Sequence, residues 1–562
     1  MNTVSSRSRW TIRLVLVATL AVTPSMGSPA VSPDGVTPAE RLSLDPGLIP
    51  GLLRVGLGES TRLAAWPLEP GRHGDVALVR RDVYAQGAEV HVVDGDASRE
   101  APRSGLAFFF GEVVGDAATR VVVAVDPLAM QLHAFTLTPT GWTEMRFVGE
   151  PSPNDYLLAP ATGFLDPTVA HPGFRCGQPG LLEAPPDPPL VLESTVPRTE
   201  APSALRQLTL AVDTDNEFMS LKFSDNTTNA TSYIASLFAL MTVIYERDLQ
   251  VRILQGTTTL RVSTTADPYV QSGTGAADTA KLSEFQDYWV AHYAGVSRAA
   301  AMMLSGKQAD AYSASGIGYV NTLCSASGGY TFSQVFTYPG STASSDVLLV
   351  AHEIGHNFGS YHTHCYLDPT PIDTCYSGEA GCYSGATSCP AAQTINGVAN
   401  VRGTLMSYCH LLNGCSASAV FHPRTVAILD PIVASKVGVC VFPVVPANPK
   451  EASPQGDMIA QRGSGGSVAV TYTAACGATG HTVYAGNLAT LRTGGLTWSQ
   501  RFCALGASGS LSFTPSADVY FVVAGNNGTT EGSYGRTSAG ERPAAGSGGA
   551  CSYVQDLSGT CP

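Results

Sequence analysis

Lysine is nearly missing from this chain: there are five in 562 residues, within a total of 32 Lys and Arg. Charge of either sign is thin, at 14% of residues, and the formal balance is −13. A groove that follows a phosphate backbone needs a concentrated basic face, so nucleic acid is excluded as an expected partner. Scarce lysine beside abundant Ala, Gly and Arg suggests a GC-rich bacterial source. Long apolar runs are missing beyond the N-terminus, so no membrane span is expected in the mature chain. Cysteine is missing from most of the first half: 12 of the 13 lie from Cys324 onward, and Cys176 stands alone before them. None of the twelve falls in the paired CxxC pattern of a zinc ribbon, which leaves disulfides as their expected state. An EF-hand-like loop is missing as well.

What is present begins with an export signal. Arg7, Arg9 and Arg13 precede an apolar run from Leu14 to Val22, too short to cross a bilayer, and small residues follow at Ser25, Gly27, Ser28 and Ala30. Residues 1–29 read as a signal peptide, and the mature protein as secreted and extracellular. An uncleaved membrane anchor is the other reading of that run. Export favours disulfides, and an odd count leaves one cysteine without a partner.

The length has room for about three domains. Residues 30–204 read as a β-rich N-terminal region, with strand-like runs at Leu106–Val114 and Arg120–Val125. It ends in a Pro-rich linker around Ala184 to Pro189, extended and open to proteases. Residues 205–443 alternate strand and helix. Leu208–Val212 and Val251–Leu254 read as strands, as do Ala299–Leu304 and Gly318–Cys324. Ile234, Leu237, Phe238, Met241, Ile244 and Tyr245 fall at helical spacing, and so do Leu282, Phe285 and Trp289. A further helix is expected to open near Ser344, Ser345 and Asp346, which have N-cap chemistry, and another after Pro423. Residues 444–562 turn to Gly, Ser, Thr and Ala with short strand candidates. They read as a small β-sandwich, fibronectin-III-like, pinned by Cys476, Cys503, Cys551 and Cys561. Its role is open between attachment to a surface and passive stability. Asn226 and Asn229 sit in glycosylation sequons without functional weight in a bacterial chain.

The sharpest signal is the run from His352 to His362, which fits HExxHxxGxxH. His352 and His356, four apart, project from one face of a helix and can bind one metal together. Glu353 stands beside them, placed to take a proton from water at that metal. Gly359 lets the chain leave the helix through a turn that a Cβ resists, bringing His362 round as a third ligand. Three protein ligands leave one position of a tetrahedral zinc open, which marks a catalytic site rather than a structural one.

This run, with Thr404-Leu405-Met406-Ser407-Tyr408-Cys409 downstream of it, resembles the metzincin zinc endopeptidases. The strand and helix order over 205–443 is closest to their adamalysin/reprolysin-like branch. The resemblance implies a catalytic domain of α+β type: a twisted mixed sheet with helices, and an irregular C-terminal subdomain beyond the active-site helix. It makes Met406 the Met-turn residue that packs under the zinc without binding it. It implies substrate held along an edge strand, for which Gly316 to Val320 is the candidate. It implies a Cys324–Cys440 bridge, and it allows a calcium ion near the domain end. Two positions depart from the branch. Thr363 follows the third histidine where the branch has Asp. Tyr408 stands where astacins and serralysins carry a tyrosine that steadies the tetrahedral intermediate, and a merely packed tyrosine is the equal alternative. Many metzincin prosegments also place a cysteine on the zinc, and Cys176 in Phe174-Arg175-Cys176-Gly177 fits that role; a disulfide to another chain, or an inert thiol, is the alternative. His364, His410 and His422 read as structural or surface histidines, and Cys365, Cys375, Cys382, Cys389, Cys409 and Cys415 as disulfides of unknown connectivity.

The sequence therefore reads as a secreted, monomeric zinc endopeptidase made as a zymogen, acting on protein or peptide substrates. The rival reading is a non-catalytic surface-binding or adhesive protein with a structural zinc.

Overall fold

Alternation of side chains along a few short strands decides how the middle of this chain folds. The computed structural model describes residues 39–562 apart from 139–140, 150–153, 165–173, 178–204, 263–266, 271–274, 276, 308–312, 445–450, 454–457, 476, 504, 507–508, 538–539, 543, 545–550, 552 and 558–562. The expected signal peptide, the Pro-rich linker, Cys476 and Cys561 fall outside the described residues. The described chain divides into two compact units, one holding residues 39–55 and Thr61–Val444 and the other Gly56–Ser60 and Val445–Pro562.

The first unit opens with β1 (Glu40–Ser43), helix α1 (Leu48–Leu53), β2 (Ser60–Glu69), β3 (Arg72–Arg81), β4 (Val90–Asp94), β5 (Ala97–Ala101), β6 (Ala107–Val113), β7 (Asp116–Asp126), β8 (Gln131–Thr138), β9 (Gly141–Phe147), β10 (Asp155–Pro160) and β11 (Arg175–Cys176). Eight of these strands form one sheet in the order β1-β10-β9-β8-β7-β6-β3-β2. The two strand-like runs read from the sequence are β6 and the second half of β7.

The strand–helix region follows: β12 (Arg206–Thr214), α2 (Thr227–Leu249), β13 (Val251–Arg261), α3 (Thr279–His292), β14 (Ala300–Ser305), β15 (Ser315–Gly318), β16 (Tyr330–Gln334), α4 (Ala343–Asn357), β17 (Gln393–Ile395), β18 (Val398–Val401), α5 (Pro423–Ser435) and β19 (Val441–Pro443). Its mixed sheet runs β11-β15-β16-β14-β12-β13-β4-β5, with β19 also on β12. Both faces are covered, so the strands read as near-continuous apolar runs. Leu208, Leu210, Val212, Ala300, Met302 and Leu304 face the core shared with α2 and α4. Ala211, Ala301 and Met303 face the core with Leu282, Phe285 and Trp289 of α3. Each strand thus serves two cores by its period of two.

The N-terminal region is built into this body. The β4–β5 hairpin leaves its own neighbours and extends the mixed sheet, with β4 parallel to β13. Phe108, Phe110, Val122, Phe135 and Trp142 share one core with α2. Glu144 of β9 is buried at the start of α4 and accepts from Thr342 Oγ1 (2.9 Å) and from Ser344 Oγ. A carboxylate there is favoured by the partial positive charge of a helix N-terminus. Burial works to raise its pKa, but His133 and Arg146 outweigh burial and hold it low.

Three expectations need correction. Helix α4 is capped by Thr342, in a capping box with Ser345, and not by Ser344 to Asp346. The Asp346 carboxylate is taken up by Phe336 N (2.8 Å), Tyr233 OH (2.7 Å) and Lys222 Nζ (3.2 Å). Gly318–Cys324 is no strand beyond Gly318. Its backbone amides instead close the C-terminal end of α4, Asn321 N reaching His356 O at 2.9 Å and Thr322 N reaching Asn357 O at 3.0 Å. Finally, α2 is long and apolar enough by composition to cross a membrane, although most of it is buried within this fold.

After α4 the chain is largely irregular up to α5. Disulfides Cys365–Cys382, Cys375–Cys409 and Cys389–Cys415 pin it, and Cys324–Cys440 joins two distant points. The second unit has a three-stranded sheet (Ile459–Arg462, Val468–Thr471, Ser510–Phe513) and a five-stranded sheet centred on Gly480–Asn487 and Val519–Asn526. Val470 and Phe513 of the first share an apolar cluster with Val483 and Val523 of the second, and Cys503 is bridged to Cys551.

One buried charge organises the α3 side of the mixed sheet. Asp213 accepts from Arg261 Nε (3.0 Å) and Nη2 (2.8 Å), from Tyr269 OH (2.6 Å) and from Trp289 Nε1 (2.8 Å). Asp213→Ala would leave Arg261 buried without its counter-charge. The expected loss is about 3–5 kcal/mol in urea unfolding followed by tryptophan fluorescence; a loss below about 1 kcal/mol would mean that the guanidinium finds another acceptor.

Candidate metal centre

Helix α4 carries His352, Glu353 and His356, all fully buried. The helix ends at Asn357, and the chain turns at Gly359, whose φ of +112° lies where side chains with a Cβ are strained. A Cβ there would also meet Ile432 Cδ1 at 2.6 Å. Beyond the turn His362 comes back to the helix, its ring centroid 5.2 Å from that of His352 and 4.8 Å from that of His356.

Each imidazole has its Nδ1 engaged. His352 Nδ1 lies 2.8 Å from Leu405 O, His356 Nδ1 2.7 Å from Ser360 O, and His362 Nδ1 2.7 Å from Glu379 Oε2. These acceptors put the proton on Nδ1 and leave Nε2 with its lone pair. His352 Nε2, His362 Nε2 and Glu353 Oε1 are buried with no hydrogen-bond partner. Orphaned buried nitrogens are costly unless something binds them. Cys176 Sγ joins the three histidines in one group whose ligand atoms lie within 4.8 Å of one another. Sγ is 3.6 Å from His356 Nε2 and 3.4 Å from Glu353 Oε2. Three nitrogens and one sulfur around a common point fit zinc in chemistry and number.

The protonation states agree with that fit. Burial, and then the neighbouring imidazoles, hold His352 far below the usual histidine range, and the same causes bring His356 to about 3. Burial also lowers His362, against the pull of Glu379. All three are neutral donors at physiological pH. Burial pushes Glu353 well up, and burial with Glu353 as neighbour does the same to Cys176.

Met406 lies under the helix, so close that a Cβ on Gly355 would meet its Sδ at 2.6 Å. Thr363 ties this turn down: its N and Oγ1 donate to Met406 O at 3.0 and 3.2 Å, and Oγ1 also bonds Asp373. Tyr408 is buried with its ring 4.4 Å from that of His362, and its hydroxyl donates to Cys176 O at 3.0 Å.

Strand β11 runs parallel along the outer edge of β15. Arg175 N donates to Ala314 O (3.0 Å) and Gly177 N to Gly316 O. The candidate substrate edge, Gly316 to Val320, is therefore covered at its start by residues 175–177. Phe174 sits in a cluster with Ala314, Phe336, Tyr338 and Leu349, and its carbonyl accepts from His410 Nε2 at 2.7 Å. Among the described residues Cys176 is the one free cysteine.

Sequence reasoning missed Glu379. It is one of three acids between Cys365 and Cys382, and nothing in its spacing selects it. His364, read as a bystander, bonds the same Glu379 oxygen at 2.8 Å. Burial works to raise the Glu379 pKa, but hydrogen bonds from His362 and His364 outweigh it and hold the carboxylate ionised. His410 bonds the Phe174 carbonyl, and His422 caps α5 by accepting from Arg424 N at 3.1 Å. Among the described residues no group built from carboxylates alone marks a calcium site.

Three imidazoles open to one point beside a buried carboxylate could together hold one metal ion. Residues 204–410 match the family model Reprolysin_5, metallopeptidase family M12, so this stretch is a reprolysin-like metzincin domain. The match implies a metallopeptidase, its metal typically zinc, with protein or peptide substrates. No curated protein matches the chain. Among solved structures, a chain from "Structure of a chaperone-substrate complex" is 11% identical, over 40% of this chain and 34% of that one, with a TM-score of 0.23. This chain spans about a third of that chain's length, and a likeness so slight carries no argument.

The geometry of Cys176 leads to a labelling prediction. In the intact zinc-loaded chain its thiol resists a thiol reagent, and it becomes reactive when zinc is chelated or the protein unfolded. The labelled peptide is identified by mass; rapid labelling of Cys176 in the native, metal-loaded chain would contradict the burial described.

Proposed function

We propose that this chain is a secreted zinc endopeptidase held as a zymogen by its own N-terminal region. The observation that carries the reading is the convergence of the His352, His356 and His362 Nε2 lone pairs beside Glu353, each imidazole fixed through its Nδ1. A zinc ion held there supplies Lewis acidity, which lowers the pKa of a water and polarises a peptide carbonyl.

The remaining chemistry belongs to the chain. Substrate lies extended along β15, taking the backbone groups of Gly316 and its neighbours that β11 now uses. Glu353 faces the position of Cys176 Sγ. Once the thiol is gone it accepts a proton from the attacking water there and hands it to the leaving amine. The Tyr408 hydroxyl, freed from Cys176 O, donates to the oxygen of the attacked carbonyl. Met406 and Thr363 keep the floor of the site in place. Cys176 blocks the same position by its sulfur and by its strand, until the chain is cut in the stretch 178–204 and residues 174–177 leave. The mature enzyme acts outside the cell as a monomer.

Two experiments test this. Processed protein is expected to cleave casein and a mixed peptide library, to lose that activity with a zinc chelator, and to lose it by about 10²–10⁴-fold in Glu353→Ala with zinc content unchanged. Processed, zinc-loaded protein that leaves both substrates intact would point instead to the surface-binding reading. In the uncut chain, Cys176→Ala is expected to raise activity from background to a measurable fraction of the processed enzyme. An uncut variant as silent as its parent would remove the thiol from the blocking role and leave it to the β11 strand.

A further inference from the structure

We infer that Glu379 is a positioning residue for the metal centre and that His364 holds it in place; this rests on the zinc reading above. The three metal-facing imidazoles are not supported alike. His352 and His356 ride on α4 and lean on neutral backbone carbonyls, Leu405 O and Ser360 O. His362 lies past the Gly359 turn, on a segment with no long helix to fix its ring, and it alone leans on a charge. A carboxylate on the far nitrogen fixes the tautomer and ring plane of a ligand and makes it a stronger donor. Glu379 supplies to the loop ligand what the helix supplies to the other two.

The carboxylate is itself fixed. Its Oε2 sits between His362 Nδ1 at 2.7 Å and His364 Nε2 at 2.8 Å, and its side chain is only 6% exposed. The two rings lie 6° from parallel with centroids 5.4 Å apart. The Cys365–Cys382 disulfide closes the loop that carries Glu379, and Tyr383 N donates to His364 O at 3.0 Å, so the loop folds back on the residue that anchors it. Thr363, between the two histidines, points elsewhere, to Asp373 and Met406. Alternate residues of one short segment therefore serve the carboxylate and the Met-turn.

The test measures zinc affinity of the full chain by competition with a chromophoric chelator, for wild type, Glu379→Gln, Glu379→Ala and His364→Phe. Glu379→Gln and Glu379→Ala are expected to weaken zinc binding about 10–100-fold. His364→Phe, which leaves the carboxylate but removes its anchor, is expected to weaken it by a smaller factor. Urea midpoints in excess chelator are expected to fall in Glu379→Ala, which leaves two buried imidazoles without their acceptor; zinc affinity of the folded variants is the readout that a purely structural residue would leave unchanged. Zinc affinity within about twofold of wild type in folded Glu379→Gln overturns the inference. Should neither Glu379 variant fold, unchanged affinity in His364→Phe overturns it equally. Wild-type chain that binds no zinc defeats the functional reading and this one together, whereas normal wild-type binding with unaffected variants defeats this one alone.

Discussion

An imidazole has two nitrogens, and it can offer one to a metal in a fixed direction only when the other is engaged. This constraint shapes everything around His352, His356 and His362. Their Nδ1 partners come from three separate pieces of chain: the Met-turn through Leu405 O, the glycine turn through Ser360 O, and the disulfide-closed loop through Glu379. The irregular stretch after α4 is thus a frame for acceptors. Its three disulfides hold acceptors where no sheet or helix could, because a backbone without regular hydrogen bonds has little else to keep it in one conformation.

The same centre explains why so many polar groups lie in the dry interior. Neutral histidines, a carboxylate with an unpartnered oxygen and a thiol share one enclosed space, and each is costly there alone. The run 174–177 lies over them. Its strand closes the edge of β15, Phe174 fills an apolar cluster beside His352, and the Cys176 carbonyl and Phe174 carbonyl occupy Tyr408 and His410. Residues 174–177 thus engage Tyr408, His410 and the start of the β15 edge together.

How much of this could be read beforehand follows from distance along the chain. His352, Glu353 and His356 are legible because a helix converts a spacing of four into one face. Gly359 and His362 are legible because a turn after a helix has a glycine signature. The strands β12, β13 and β14 are legible because two-sided burial writes apolar runs. The cap at Thr342 was displaced from Ser344 because Asp346 found better partners in Lys222, Tyr233 and Phe336 N, which no local pattern reports. Residues 319–323 look like strand by composition, yet the carbonyls at the end of α4 needed donors, and that need arises only in three dimensions. Glu379 had no local mark at all, since its partners lie 17 and 15 residues away across a disulfide loop. The same holds for the β4–β5 hairpin, whose apolar alternation suits either sheet and whose choice is made by an edge of β13 more than 150 residues distant.

That hairpin has a mechanical consequence. A cut anywhere in 178–204 breaks one covalent connection, but β4 remains hydrogen-bonded along β13, and Phe108, Phe110 and Phe135 remain in the core with α2. A nicked chain would therefore hold together as two interlocked pieces, with only the short run around Cys176 free to swing away from the sheet edge. Under the zymogen reading proposed above, severing the backbone and clearing the cleft would be distinct events, the second set by how fast two residues of β11 unzip from β15.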